Sequence, residues 1–420
     1  MVLEDIFRRP SIPVRLRTPP LGSLFDGFCE WLCSQGYSGI TLFRRIWQVS
    51  HFNHFLHQAG VNNCRKIERS FAARFLTNHL PRCRCKNQPW KGREGTPGAV
   101  RSIMAYLDVR GLLAPPAEEP SGGSVLQGEF LGYLRSERNL GDSSIQKHRQ
   151  FLVPFLKALG PLATRKGLRR LSPREVHRFF LKHSEKAGPG TRRDVQGFLR
   201  IFLRFCLQRG YVKRDLSQAV PKIRRYRLSQ VPRGLAEEEI RKILGGIRCV
   251  TPVGRRDFSI LQILANYGVR GGQVRALKLG DIQWRQERIR FPGQKGGKEV
   301  VAPLIREVGE SLVDYLRHGR PRSAHSQVFL TTFPPFRPLC PSAVSVLVHA
   351  RMRRAGVSGR PMGSHTFRHA FASRLLRQGQ SIKTIADLLG HRNINTTFIY
   401  TKVDFATLRQ LPLDWPEVGT

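Results

Sequence analysis

Relative to its basic side chains, this 420-residue chain has few acidic ones: 30 Asp and Glu stand against 71 Lys and Arg, a formal charge of +41. That imbalance goes far beyond what solubility needs. It argues against cationic partners and predicts a polyanionic one. Long apolar runs are also absent, for no uninterrupted stretch approaches the length of a spanning helix. The basic residues are spread over the whole chain rather than along one amphipathic face, so nucleic acid is expected and a membrane partner is not. Cysteine is sparse, eight residues scattered through the chain, which fits free thiols in a reducing compartment. The start, Met1-Val2-Leu3-Glu4-Asp5, is acidic early and no apolar core follows, so it lacks the shape of a signal peptide. A cytoplasmic location is the expectation.

What is present points to packed cores. Hydrophobic residues make up 40% of the chain and phenylalanine alone occurs 25 times, which excludes a disordered basic tail. Most of the excess charge is arginine, whose planar fork grips phosphate bidentately. The length suggests two or three domains. Residues 1–20 are proline-rich and basic, a loose lead-in, and residues 21–113 read as a helical N-terminal domain. The stretch APPAEEPSGG marks a linker at 114–123. A second helical domain covers 124–226 and ends in the basic connection Lys222-Ile223-Arg224-Arg225-Tyr226-Arg227; a third covers 227–403, and a tail runs over 404–420.

The first two helical regions share spacing. Phe28, Trp31 and Leu32 match Phe130, Tyr133 and Leu134, and Phe55-Leu56 before Gly60 matches Phe155-Leu156 before Gly160. Arg110-Gly111-Leu112 likewise matches Arg209-Gly210-Tyr211, in the same order and about a hundred residues on. A diverged duplication is the expectation. In the third region the period changes. Ile289-Arg290-Phe291 and Glu299-Val300-Val301-Ala302 read as short strands around a glycine-rich turn, between helices at about 235–267, 305–318, 341–355, 366–378 and 382–389. The predicted class is mainly α with a small antiparallel β-sheet in the last domain.

Chemistry concentrates near the end of that region. His365 and Arg368 stand three apart, on one face of a helix. Gly390 follows Leu388-Leu389 as a helix stop, placing His391 just beyond it, and Tyr400 comes nine residues later. Two histidines, an arginine and a tyrosine can converge on one anionic group. Phosphodiester transfer by a tyrosine needs cations on the phosphoryl oxygens, removal of the phenol proton and protonation of the leaving oxygen. A second arginine and a lysine should therefore lie upstream. Arg270 sits at a glycine-flanked turn, and Lys295 at the tip of the expected hairpin, with Lys298 as its rival on the same arm.

Four segments now carry a resemblance: YGVRGGQVRALKLGDIQW, GQKGGKEVVAPL, SHTFRHAFASRLL and LLGHRNINTTFIYT. In order, over about residues 235–402, they resemble the boxes of the tyrosine recombinase (phage integrase) family. The resemblance implies that family's catalytic fold, preceded by helical SAM-like core-binding domains. It implies Tyr400 as the nucleophile forming a 3′-phosphotyrosine link, with Arg270 and Arg368 clamping the scissile phosphate. Lys295 would be the general acid, His365 would assist proton transfer, and His391 would hydrogen-bond the phosphate. It further implies double-stranded DNA as partner, homo-oligomers such as a synaptic tetramer, sibling recombinases as further partners, and a mobile-element integrase. One position departs from the family: three residues after Arg270, where an acidic residue is usual, stands Gln273. Glutamine accepts a hydrogen bond but brings no charge, so tuned activity is expected.

Blander functions also deserve a place. A type IB topoisomerase would use similar chemistry on single sites, and a catalytically silent DNA-binding protein would keep the charge without the cluster. The segment HLPRCRCK, with His79, Cys83 and Cys85, lacks the two-residue cysteine gaps usual in zinc sites, so the sequence predicts no metal and no cofactor. The tail from Asp404 carries Phe405, Leu408, Leu411 and Leu413, apolar residues suited to docking on the same protomer or on a neighbour.

Overall fold

The computed structural model describes residues 2–83, 85, 94–113, 122–185, 187–223, 234–293, 298–357, 362–391, 393–398 and 400. Lys295 and the tail expected at 404–420 lie outside the described residues. The chain forms two compact units, Ala114–Arg227 and Met1–Leu113 together with Leu228–Thr420. Three separate large hydrophobic cores fall within residues 3–107, 126–220 and 235–370.

The first core is built by helices Phe25–Ser34, Gly39–Gln58 and Thr96–Val109, with a fourth segment running Arg69–Arg74, through a π turn Phe75–His79, to Leu80–Arg82. The second is built by Gly122–Ser136, Asp142–Leu159, Pro173–Ser184 and Pro189–Gln208. The last of these buries Val195, Phe198, Leu199, Phe202 and Leu203, the three- and four-residue spacing of one helical stripe. Pro173–Ser184 starts at a capping box in which Glu175 accepts from the Ser172 backbone N–H at 2.9 Å.

The spacing match between these regions extends to geometry. Phe28 stacks on Trp31 at 6.1 Å and 18°, as Phe130 stacks on Tyr133 at 6.3 Å and 22°. Tyr106 meets Phe28 at 5.5 Å and 54°, and Phe205 meets Phe130 at 5.3 Å and 59°. Arg110 lies 5.9 Å over Tyr106 and Arg209 lies 5.8 Å over Phe205. Both last helices then close through a left-handed glycine, Gly111 at φ 65° and Gly210 at φ 70°. The following N–H returns to the carbonyl five residues back, Leu112 to Leu107 and Tyr211 to Cys206. The two regions thus share an aromatic triad and a closing turn.

The third core lies in a mainly α region with one three-stranded antiparallel sheet. Strand β1 is Ile282–Gln283, β2 is Arg288–Phe291 and β3 is Val300–Pro303, in the order β1-β2-β3. Ile289 pairs with both Ile282 and Ala302. Strand β1 is too short for its alternation to be read from sequence. Strand β3 begins at Val300 rather than Glu299, and Pro303 is tolerated because β3 is an edge strand. Helices Glu237–Gly245, Pro252–Tyr267, Gly271–Ala276, Arg306–His318, Ala343–Arg354, Ser364–Arg377 and Ile382–Leu388 surround the sheet. The helical stretch expected over 235–267 is broken between Gly245 and Pro252, while the other expected helices here end within about two residues of expectation. Residues 1–20, expected as a loose lead-in, instead form helices Leu3–Ile6 and Ser11–Leu16, because Leu3 and Leu16 are buried in the first core. Among the described residues no helix is long and apolar enough to cross a membrane.

Candidate active site

Arg368 is the pivot. Helix Ser364–Arg377 buries Phe367, Ala370 and Phe371 around it and leaves its side chain only 3% exposed. A guanidinium so deep must be paired. One Nη donates to the Gly268 carbonyl at 3.0 Å and the other to the Leu389 carbonyl at 2.7 Å. Gly268 is the left-handed stop, φ 58°, of helix Pro252–Tyr267, and a Cβ there would lie 2.5 Å from the Phe371 ring. Leu389 ends helix Ile382–Leu388, so Arg368 also places a cation where that helix's last carbonyls need one. Burial first, and the neighbouring Arg270 second, push the Arg368 guanidinium down to about 10. Two cations held this close are a cradle for an anion.

Arg270 precedes helix Gly271–Ala276 and is half-buried. Its backbone N–H donates to Gln273 Oε1 at 3.0 Å, and Gln273 Nε2 donates to the Pro292 carbonyl at 3.1 Å. Gln273 is 1% exposed, and these two bonds fix which end of its amide is oxygen. A carboxylate could accept from Arg270 but has no proton for Pro292. The glutamine thus ties the arginine turn to the end of β2, a link its charged counterpart in the family could not make while ionised.

His391 follows Gly390, whose φ of 60° closes the helix as expected, with its own N–H returning to Ala386 O at 2.9 Å. Its Nδ1 is 2.7 Å from the Thr397 hydroxyl. A Cβ on Gly390 would lie 2.9 Å from Val300 and 3.2 Å from the Lys298 carbonyl, so the base of the β2–β3 hairpin packs directly on the His391 turn. Burial, then Arg368 and Arg270, holds the His391 imidazole down at about 4.

Tyr400 is 3% exposed and sits in a small cluster with Phe371, Ala372, Ile385 and Leu389. Its hydroxyl is 3.1 Å from His369 Nδ1. Burial raises the phenol above its usual range, while Arg368 and then Arg270 pull it down. His369 itself is lowered to about 4, by burial first and by His365 and Arg368 after it.

The structure therefore gathers Arg270, Arg368, His391 and Tyr400, and adds His369, which the sequence reading left as a structural residue. His365, four residues before His369 on the same stripe, is exposed at the start of the helix. The signal for His369 was that i, i+4 spacing, but the family box draws attention to the first histidine. Lys298 is exposed at the base of the hairpin.

A site of two arginines, imidazoles and a tyrosine, borne by a mainly helical fold with a small sheet, defines a class of phosphodiester-exchanging proteins. The sequence profile of the phage integrase family matches residues 233–407. A Sinorhizobium fredii protein named as integrase/recombinase y4rA is 32% identical over 97% of this chain and 96% of its own length. The tyrosine recombinase XerD of Yersinia pestis is 29% identical over 67% of this chain and 94% of its own. Among solved structures, XerH recombinase in a post-cleavage complex with its difH substrate shares the fold with a TM-score of 0.55 at 17% identity, over 81% of this chain and 93% of that one. A lambda integrase tetramer bound to a Holliday junction gives 0.52 at 17% identity, over 76% and 90%. The chain belongs to the phage integrase family, the tyrosine recombinases.

Proposed function

We propose that this chain is a site-specific DNA recombinase that cuts and rejoins strands through a 3′-phosphotyrosine link to Tyr400. The observation that carries the reading is the Tyr400 hydroxyl, bonded to His369 within the field of Arg368 and Arg270. Tyr400 oxygen attacks phosphorus, the bond to the 5′-oxygen breaks, and the link to tyrosine keeps the bond energy for religation. Arg270 and Arg368 hold the non-bridging oxygens, where charge builds in the transition state. His369 receives the phenol proton in the buried pair, with His365 exposed one turn earlier on the same helix. His391 donates to the phosphate through the nitrogen that Thr397 does not engage. Lys295 supplies the proton to the leaving 5′-oxygen, with Lys298 behind it.

Double-stranded DNA is the substrate and the chain works as an oligomer on it, a reading supported by XerH bound to its difH substrate and by the lambda integrase tetramer bound to a Holliday junction. A mobile-element integrase is favoured because the integrase/recombinase relative spans 97% of the chain while XerD spans 67%. The N-terminal domain at 21–113 is then the added part, with 124–226 as the core-binding domain and 227–403 as the catalytic domain. The eight cysteines form no disulfide, which suits the cytoplasm as the place of action. A nicked suicide substrate carrying the chain's own recombination site should trap a covalent protein–DNA adduct that disappears in Tyr400→Phe. No adduct from the wild type would sink the enzyme reading and favour a silent DNA-binding protein. Relaxation of any plasmid without site pairing would favour a topoisomerase.

A further inference from the structure

His51, His79, Cys83 and Cys85 stand together in the N-terminal region, far along the chain from the recombinase boxes. One ligand atom of each lies within 4.8 Å of all the others. His51 Nε2 is 3.2 Å from His79 Nε2 and 3.1 Å from Cys83 Sγ, and Cys85 Sγ is 3.6 Å from His79 Nε2. In a tetrahedral zinc site with Zn–N near 2.0–2.1 Å and Zn–S near 2.3 Å, neighbouring ligand atoms fall about 3.3–3.8 Å apart. The three closest separations, 3.1, 3.2 and 3.6 Å, lie near those edges, and the other pairs fall within 4.8 Å. Two imidazole nitrogens and two sulfurs, the donor types that zinc prefers, converge on one spot.

The backbone is shaped to make this meeting. His51 comes from the middle of helix Gly39–Gln58 and is buried, 1% exposed. His79 closes the π turn Phe75–His79, an extra residue in the helical run that re-aims the side chain after it. The helix stops at Arg82, and Cys83 is extended, φ −62° and ψ 127°. Beyond it both sulfurs reach the histidines, Cys83 to His51 and Cys85 to His79. Phe75 packs on both rings, 5.2 Å from His51 and 5.4 Å from His79, supplying the apolar surround that shields a metal site.

We propose that His51, His79, Cys83 and Cys85 bind one zinc ion that clips the 69–85 segment onto helix Gly39–Gln58. This overrides the objection drawn from cysteine spacing, because the fourth ligand comes from a helix nearly thirty residues upstream of His79 and not from a second cysteine pair. Four protein ligands leave no position for water, so the ion is structural rather than catalytic. Full-length protein, produced without a histidine tag and incubated with Zn(II) alone, should retain about one zinc per chain after dialysis. Co(II) in its place should give the visible bands of tetrahedral cobalt with a thiolate-to-metal charge-transfer band in the near ultraviolet. Cys83→Ser and Cys85→Ser should each lose the bound zinc and weaken that charge-transfer band, and Cys64→Ser should keep both. Zinc well below one per chain in the wild type, or a cobalt spectrum unchanged in both variants, would overturn the proposal. Circular dichroism reports whether the variants fold; if they do not, wild-type stoichiometry and spectrum decide alone. No readout involves DNA cleavage, so this result and the recombinase result stand apart.

Discussion

At Tyr400 burial and positive charge act against each other on one phenol. The surroundings raise its pKa, the two arginines lower it, and His369 at 3.1 Å is placed to take the proton once a phosphate neutralises the cations. His369 is held at about 4, so it is the neutral, proton-accepting ring at working pH. His369→Ala is expected to slow adduct formation on the suicide substrate by on the order of a hundredfold or more, the usual worth of a positioned base. Neither His369 nor His391, both lowered to about 4, should contribute a step near 6.5 to the wild-type rate–pH profile. A rate unchanged in His369→Ala would return the proton to His365. Gln273 was visible in sequence as a departure, but the partner of its amide, Pro292, was not, because that contact joins a helix start to a strand end.

Two left-handed glycines hold the elements of the site. Gly268 lets a helix end against Phe371 so that its carbonyl meets Arg368, and Gly390 lets the His391 turn lie on Val300. Gly390→Ala requires an L-residue at φ 60° and a Cβ 2.9 Å from Val300, a cost of about 1–2 kcal/mol from conformation alone. Its thermal midpoint should fall below wild type, and cleavage should drop more than stability does, since the displaced element carries His391. A variant with wild-type melting and wild-type cleavage would remove Gly390 from this role. The helices of this region were legible from periodicity and caps. The β1 strand was not, because two residues carry no pattern and its existence depends on pairing with β2.

Across the whole molecule the charge of +41 sets the interaction with DNA. Each neutralised phosphate steepens log K against log salt by about 0.9. Arg169 and Arg170 are exposed at the end of a short turn, Gly167–Arg170, in the second compact unit. The double substitution Arg169→Ala, Arg170→Ala should make that slope shallower by up to about 1.8, with affinity falling on any DNA sequence alike. Fluorescence anisotropy over a salt series measures it; an unchanged slope would show that these arginines face away from the duplex.

Local chemistry wrote much of this protein into its sequence. Helices follow from apolar spacing and glycine stops, the polyanionic partner from charge, and the recombinase boxes from residues close in the chain. The repeated Phe–aromatic–Leu pattern, too, was readable before its triads were seen. Only the tertiary structure decided which histidine meets Tyr400, what Gln273 holds and which side chain joins His79, Cys83 and Cys85. The physical reason is common to all three. Each depends on a few ångströms between side chains on separate elements, and a linear pattern records the faces of an element but not what packs against them.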